Sequence, residues 1–310
     1  MRGSVILALL ATASSSFFGA TAAASEGWPT AAAIFSDPNN LTADWVGPEV
    51  CNYTSVYCAP LPSGPDRRGA LAVAEVNLNH GDIVGFLPPE LALLADLALL
   101  HLNSNRFCDV LPRALRRLRL LHELDLSNNR FVGPFPDVVL DLPALRFLDL
   151  RFNDFEGVVP PCLFDRLLDA IFLNHNRLRF QLPDNFGNSP ASGVVLAHNA
   201  FGGCLPVSVA NMSSTLKEIL LINNGLSSYF LPEIGLLREL TVLYVSFNQL
   251  AGPLPLKLTL MRKLEQLDVA HNLLTGAVLP GICDLPRLKN FTLTYNFFTG
   301  EAPSCARLVA

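Results

Sequence analysis

An asparagine returns along this chain with a clock-like step, and that recurrence limits the fold more than any other feature. It stands at Asn105, Asn129, Asn153, Asn176, Asn199, Asn224, Asn248, Asn272 and Asn296, at steps of 23 to 25 residues. Around it runs L-x-x-L-x-L-x-x-N-x-L/F-x-G-x-x-P, plain in Leu121, Leu124, Leu126, Asn129, Phe131, Gly133 and Pro136 and again in Leu145, Leu148, Leu150, Asn153, Phe155, Gly157 and Pro160. A further copy (Val73, Val76, Leu78, Ile83, Gly85, Pro88) has Gly81 in the asparagine slot. A period in this range marks a repeat architecture. The pattern predicts an α/β leucine-rich-repeat solenoid of about ten repeats, with a concave parallel β-sheet and disulfide-closed caps.

Each repeat position has a physical reason. In x-L-x-L-x the leucines alternate inward and the x residues outward with the strand period of two. The asparagine follows where the chain turns, and its amide can satisfy backbone groups of neighbouring coils that would otherwise be buried unpaired. Glycine and proline shape the return side, where Pro89 to Leu94 and Pro232 to Leu237 read as short helical or extended segments. One repeat cannot bury its apolar face alone, so stability comes from stacking and from capped ends.

Half of the 310 residues are apolar and only 16% are charged, with a mean hydropathy of +0.35. That balance suggests a membrane protein until the runs are located. The long apolar run lies at the N-terminus, where Arg2 precedes Val5 to Leu10 and the small residues up to Ala24. This is a signal-peptide pattern. Residues 1–24 are therefore expected to be a signal peptide, 25–70 an N-terminal cap, 71–300 the repeats and 281–310 a C-terminal cap overlapping the last repeat. No transmembrane segment and no lipid-anchor tail is expected. The sequons at Asn40, Asn52, Asn211 and Asn290 suit passage through the secretory pathway as glycosylation sites. A net charge of −5 argues against nucleic acid as partner and towards a basic one.

Of seven cysteines, Cys51 and Cys58 fall in the N-terminal cap, beside Trp45, while Cys283 and Cys305 bracket the last repeat. Secretion makes both disulfides reasonable. Cys108, Cys162 and Cys204 remain. Coils stack ~4.8 Å apart, so cysteines two coils apart lie beyond the ~7 Å that a disulfide tolerates. These three are expected to stay free or to bridge to another molecule.

A search for chemistry returns no nucleophile elbow, phosphate loop, dinucleotide fingerprint or zinc-protease motif. No catalytic residue, no metal site and no cofactor is expected. His80, His175, His198 and His271 share one slot, just before the repeat asparagine or Gly81, and read as a repeat habit. His101 and His122 lack convergent ligands at zinc spacing. Glu75, Glu123, Asp125, Asp149 and Asp268 fall at outward strand positions, spread over many coils, which suits an acidic surface rather than an acid–base pair. Phe147, Phe172, Asn174, Tyr244 and Tyr295 are placed on the same concave face, with Phe247 near the strand ends. Aromatics among acids suggest a recognition surface, and an ordinary solvated sheet face is the plain alternative.

The stretches outside the generic consensus are more specific. Asp44-Trp45-Val46-Gly47-Pro48 with Val50-Cys51-Asn52-Tyr53-Thr54, Asn77-Leu78-Asn79-His80-Gly81-Asp82-Ile83, Asn103-Ser104-Asn105-Arg106-Phe107-Cys108, Leu148-Asp149-Leu150-Arg151-Phe152-Asn153, Asp169-Ala170-Ile171-Phe172-Leu173-Asn174 and Tyr295-Asn296-Phe297-Phe298-Thr299-Gly300-Glu301 resemble the plant leucine-rich repeat extensins, pollen members included. The likeness runs from Ser36-Asp37-Pro38 onward. It implies a secreted, extracellular protein of the plant cell wall that takes part in wall formation. Its repeat domain would bind small basic cysteine-rich peptides of the rapid alkalinization factor type.

Further partners that fit are cell-wall polysaccharide or pectin and a second chain in a homodimer or heterodimer. Alternatives are a polygalacturonase-inhibitor-like protein and a structural wall glycoprotein. The family continues into a serine- and proline-rich extensin tail, whereas this sequence stops at Ala310, so that anchor is expected to be lacking. The resemblance also places a cysteine opposite Cys204 in the next repeat, where this sequence has Tyr229-Phe230-Leu231-Pro232, one residue longer.

Overall fold

The structure, a computed structural model, describes residues 33–60, 70–300 and 303–307. The expected signal peptide, the first part of the N-terminal cap and Glu301 lie outside the described residues. Among the described residues no helix is long and apolar enough to cross a membrane. The chain divides into two compact units, Met1–Asp154 and Phe155–Ala310, described in turn.

In the first unit, Leu71–Asn77, Leu99–His101, Glu123–Asp125 and Phe147–Asp149 pair in parallel, and the cap strand Val56–Pro60 closes the edge antiparallel to Leu71–Asn77. Leu100, Leu124 and Leu148 lie opposite one another in register, each essentially fully buried. Covering this edge removes unpaired backbone groups that would otherwise invite another chain. A second parallel layer forms from Val84–Phe86, Arg106–Asp109 and Arg130–Pro134, edged antiparallel by Ile34–Ser36. The repeat pattern by itself predicts a turn at the asparagine and no second layer of strands after it. Their phenylalanines, Phe107 and Phe131, are buried and stack with ring centroids 6.4 Å apart. The return side is built of single 3-10 turns, among them Pro89–Leu93, Arg113–Arg117 and Asp137–Asp141.

The second unit repeats the plan. Ala170–Phe172, Gly193–Val195, Glu218–Leu220, Val242–Tyr244, Gln266–Asp268 and Asn290–Thr292 form its main parallel sheet. Across both units the main-sheet strands number ten parallel copies among the described residues, matching the count of repeats. The second layer is interrupted at the long repeat. Between Ala200–Gly202 and Ala251–Gly252 only the bridges Gly203 to Leu226 and Tyr229 to Ala251 remain. The extra residue there pushes Tyr229 outward to 77% exposure. Its ring occupies the space a side chain at Gly252 would need, 2.7 Å from an ideal Cβ, where φ is also +79°.

The asparagine ladder is directional. Asn129 donates from Nδ2 to the carbonyl of Leu102 in the preceding coil at 2.7 Å, and to Leu126 and Ser127 in its own coil at 3.1 and 3.0 Å. Its Oδ1 accepts the N–H of Phe107, again in the preceding coil, at 2.9 Å. Asn105, Asn153, Asn199, Asn248, Asn272 and Asn296 repeat the backward pair. Each of these seven asparagines therefore completes the coil before its own, whereas Asn224 donates only to Ile222 of its own coil. This explains Gly81 physically: the first coil has no predecessor to serve. An ideal Cβ at Gly81 would sit 2.9 Å from Leu41, and the cap residue Asn39 donates to the Gly81 carbonyl at 3.1 Å.

Cys51 is bonded to Cys58 and Cys283 to Cys305, with Cα separations of 5.5 and 5.0 Å. Trp45 stacks on Tyr53 and donates from Nε1 to the Thr54 carbonyl, so the N-terminal cap has its own small core. Cys108 is half-buried, Cys162 and Cys204 are exposed, and none of the three is bridged.

Candidate functional site

The outward residues of the main strands form the candidate surface, and each unit contributes its own part. In the first unit, parallel register sets Asn77, His101 and Asp125 in one row, with Glu75 and Glu123 in the row beside it. His101 lies between two carboxylates, Nε2 3.2 Å from Glu123 and Nδ1 3.8 Å from Glu75. The sequence reading treated these acids as scattered and gave His101 no role. The register brings them together, because residues 24 apart in a 24-residue repeat become neighbours in space.

Asp125 spends one carboxylate oxygen on its own turn, accepting the Ser127 N–H at 3.0 Å and the Ser127 hydroxyl at 2.6 Å. Asp268 in the second unit does likewise with the Ala270 N–H at 3.1 Å, while its other oxygen accepts the Ser246 hydroxyl at 2.6 Å. Aspartate at the last strand position is thus partly a turn-former, in the manner of other short polar side chains that bond backbone two residues on.

Three expected surface residues are placed differently. Asp149 is 1% exposed: its carboxylate accepts the Arg151 N–H at 3.1 Å and pairs with the Arg151 guanidinium at 3.1 Å. Burial pushes its carboxyl up to about 7, helped by the Asp125 charge and opposed by Arg151. It is a buried acid rather than part of an open face. Asn174 is also buried, and its Oδ1 has no hydrogen-bond partner among the described residues. Tyr295 lies beyond the strand Asn290–Thr292, in the slot before the asparagine.

That slot is a structural class of its own. His80, Ser104, Asn128, Phe152, His175, His198, Asn223, Phe247, His271 and Tyr295 all have φ between 51° and 58°, the left-handed region that side chains other than those of Asn, Asp and Gly seldom adopt. In the second unit their rings stack, His175 on His198 at 4.1 Å, then Phe247, His271 and Tyr295 at 4.1 and 4.0 Å. The histidines are a repeat habit, as their spacing suggested, and the habit builds an aromatic ladder, half-buried at the histidines and exposed at Phe247 and Tyr295. Burial, with the His198 ring beside it, lowers the His175 pKa.

Phe147 and Phe172 do face outward from the strands and are half-buried. Phe172 reaches across Gly193 of the next strand, 4.0 Å from where a Cβ would stand. Tyr244 donates its hydroxyl to Gln266 Oε1, and burial raises its pKa, with the Asp268 charge adding. The sequon residues Asn40, Asn52, Asn211 and Asn290 are exposed, and Asn290 stands on the outermost strand of the second unit's main sheet.

Comparison with known proteins places this architecture. A family model described as "Leucine rich repeat" matches residues 75–155. The chain is 56% identical over 217 residues to leucine-rich repeat extensin-like protein 2 of Arabidopsis thaliana, covering 70% of this chain and 27% of that protein. It is 63% identical over 216 residues to leucine-rich repeat extensin-like protein 6 of the same plant, covering 69% of this chain and 45% of the relative. The chain thus spans less than half the length of these relatives. Among solved structures, the plant peptide hormone receptor RGFR1 in complex with RGF2 superposes with a TM-score of 0.71 at 28% identity, over 76% of this chain and 38% of the receptor. Caps, asparagine ladder and sequence identity converge, and through its repeat region the chain is homologous to the leucine-rich repeat extensin-like proteins.

Proposed function

We propose that this chain is a secreted cell-wall protein whose main-strand face holds a small, basic, cysteine-rich peptide of the rapid alkalinization factor type, and that it acts through this ligand in wall formation and organisation. The observation that carries the reading is the make-up of that face: Glu75, His101, Glu123 and Asp125 in the first unit, Phe172, Tyr244, Gln266 and Asp268 in the second. Acids steer and orient a cationic ligand, and half-buried aromatic rings supply contact area at low entropic cost. The likeness to a receptor solved with a peptide hormone supports a peptide as the ligand class. The disulfides suit an oxidising, extracellular setting.

Titration calorimetry of the secreted chain against oxidised basic peptides tests the reading. The expected dissociation constant is on the order of micromolar or tighter. Glu123→Lys is expected to weaken binding at least tenfold, about 1.4 kcal/mol, while Glu156→Lys, an exposed acid of the second layer, leaves it unchanged. Absence of heat with every peptide tried, or equal loss from both substitutions, would remove the proposal.

A further inference from the structure

Parallel register sets Ala170, Gly193, Glu218, Val242, Gln266 and Asn290 in one row across the main strands of the second unit. Beside it, Phe172, Val195, Leu220 and Tyr244 form an unbroken apolar row, half-buried at every place. Glycine weakens the interior of a strand, and there it often marks the close approach of a ligand or of another backbone. Neither packing nor backbone explains Gly193. Its φ lies outside the left-handed region, and a Cβ there would meet only the Phe172 ring, at the ordinary contact distance of 4.0 Å. By contrast a Cβ at Gly187 or Gly235 would strike the backbone of the following coil at 1.8 or 2.4 Å. The gap over Gly193 has Ala170 on one side, too short to fill it, and Glu218 on the other. Phe172 and Val195 flank it. Glu218 is exposed and in no ion pair among the described residues, whereas Glu233, Glu239 and Glu265 of the same unit each hold a lysine.

We infer that this gap seats one long cationic side chain, lysine or arginine, of a bound peptide, with its methylene stem over Gly193 against Phe172 and Val195 and its head at Glu218. The inference rests on the peptide reading above and adds to it a specificity-determining residue, Gly193, and a charge partner, Glu218. Lysine and arginine lay their stems along apolar surface while the head stays in water, and a cation beside an aromatic ring gains further attraction. Adjacent coils stand ~4.8 Å apart, so the head meets Glu218 across a single coil spacing. An aliphatic side chain would fill the same gap and leave Glu218 unused, and an acidic one would face it as a like charge.

Titration calorimetry of the whole secreted chain with an oxidised basic cysteine-rich peptide tests this. G193L fills the gap without altering charge and is expected to weaken binding at least about tenfold. G202L makes the same change at a second-layer glycine that also has open space around it, and is expected to bind as wild type. G193A is expected to melt higher, since alanine suits a strand better than glycine, and yet to bind more weakly, a combination that a purely structural role would not give. Replacing each lysine of the peptide by norleucine and each arginine by citrulline keeps the stem and removes the charge. At one position this is expected to cost about tenfold on the wild type and less than about twofold on E218Q. Thermal melting reports whether G193L is folded, and G193A with E218Q decides the matter without it. Wild-type affinity in folded G193L, a G193A that gains stability without losing affinity, or a peptide scan in which no position couples to Glu218 would each overturn the inference; if E123K still weakens binding, the peptide reading survives that result. A wild-type chain that binds no such peptide removes both.

Discussion

Replacing Asn129 by alanine is expected to destabilise the protein by about 2–3 kcal/mol, because it orphans one buried backbone N–H, thins the bonding of three carbonyls and leaves a buried cavity. The Phe107 N–H loses its partner, while the carbonyls of Leu102, Leu126 and Ser127 each lose one donor and keep another, from Asn105, Asn153 and the Ser104 N–H. A buried polar group left unsatisfied costs about 1–3 kcal/mol, and relaxation recovers part of the sum. Asn296 makes the same set of bonds at the last repeat but is half-exposed, so water can replace what alanine removes, and Asn296→Ala should cost about half as much. Denaturant unfolding of both variants checks this. A loss below about 1 kcal/mol at Asn129 would mean that the ladder follows the fold rather than supporting it.

Asn for Asp at position 149 should act in the opposite direction, and increasingly so as pH rises from about 4 to about 7. Burial raises the carboxyl to about 7, whereas in the unfolded chain an aspartate titrates near 3.9. Between these values the folded state keeps a proton that the unfolded state has released, so stability is highest below about pH 4, declines as pH rises to about 7 and then levels off. At about 1.4 kcal/mol per unit, Asp149→Asn is expected to stabilise the protein by up to about 4 kcal/mol at pH 8 and by nearly nothing at pH 4. The asparagine keeps the acceptor for the Arg151 N–H. Melts of the two proteins across this range give the answer: parallel curves would show that the buried carboxylate is fully offset by Arg151.

The main strands were legible because leucine and asparagine repeat at fixed positions, and inward burial demands that regularity. The second layer was not, because each of its strands carries a single buried residue, Gly85, Phe107 or Phe131 in the first unit, and one inward position shows no alternation. The rule that places x residues outward worked for Glu123 and Tyr244. It failed for Asp149 and Asn174, since an outward direction does not guarantee solvent when neighbouring side chains close over the position. The meeting of Glu75, His101 and Glu123 depends on register between coils. That register was available from the 24-residue spacing and required aligning the outward positions as well as the leucines. Tyr295 was misplaced because its aromatic character suggested the strand face, while its place before the asparagine identified the left-handed slot.

The backward direction of the asparagine ladder bears on how the chain is made. A ribosome releases the chain from its N-terminus, so a newly emerged coil lacks its last hydrogen bonds until the asparagine of the following coil appears, roughly one repeat later. At each moment only the newest coil is open, and every earlier one is already closed from below. The leading end needs only a cap that is ready first, which the short Cys51 to Cys58 loop provides. At the repeat of Asn296 the bond from Cys283 to Cys305 ties the coil to the 3-10 turn Pro303–Arg307. A chain released early would carry a single unfinished coil at its end, however many complete ones preceded it.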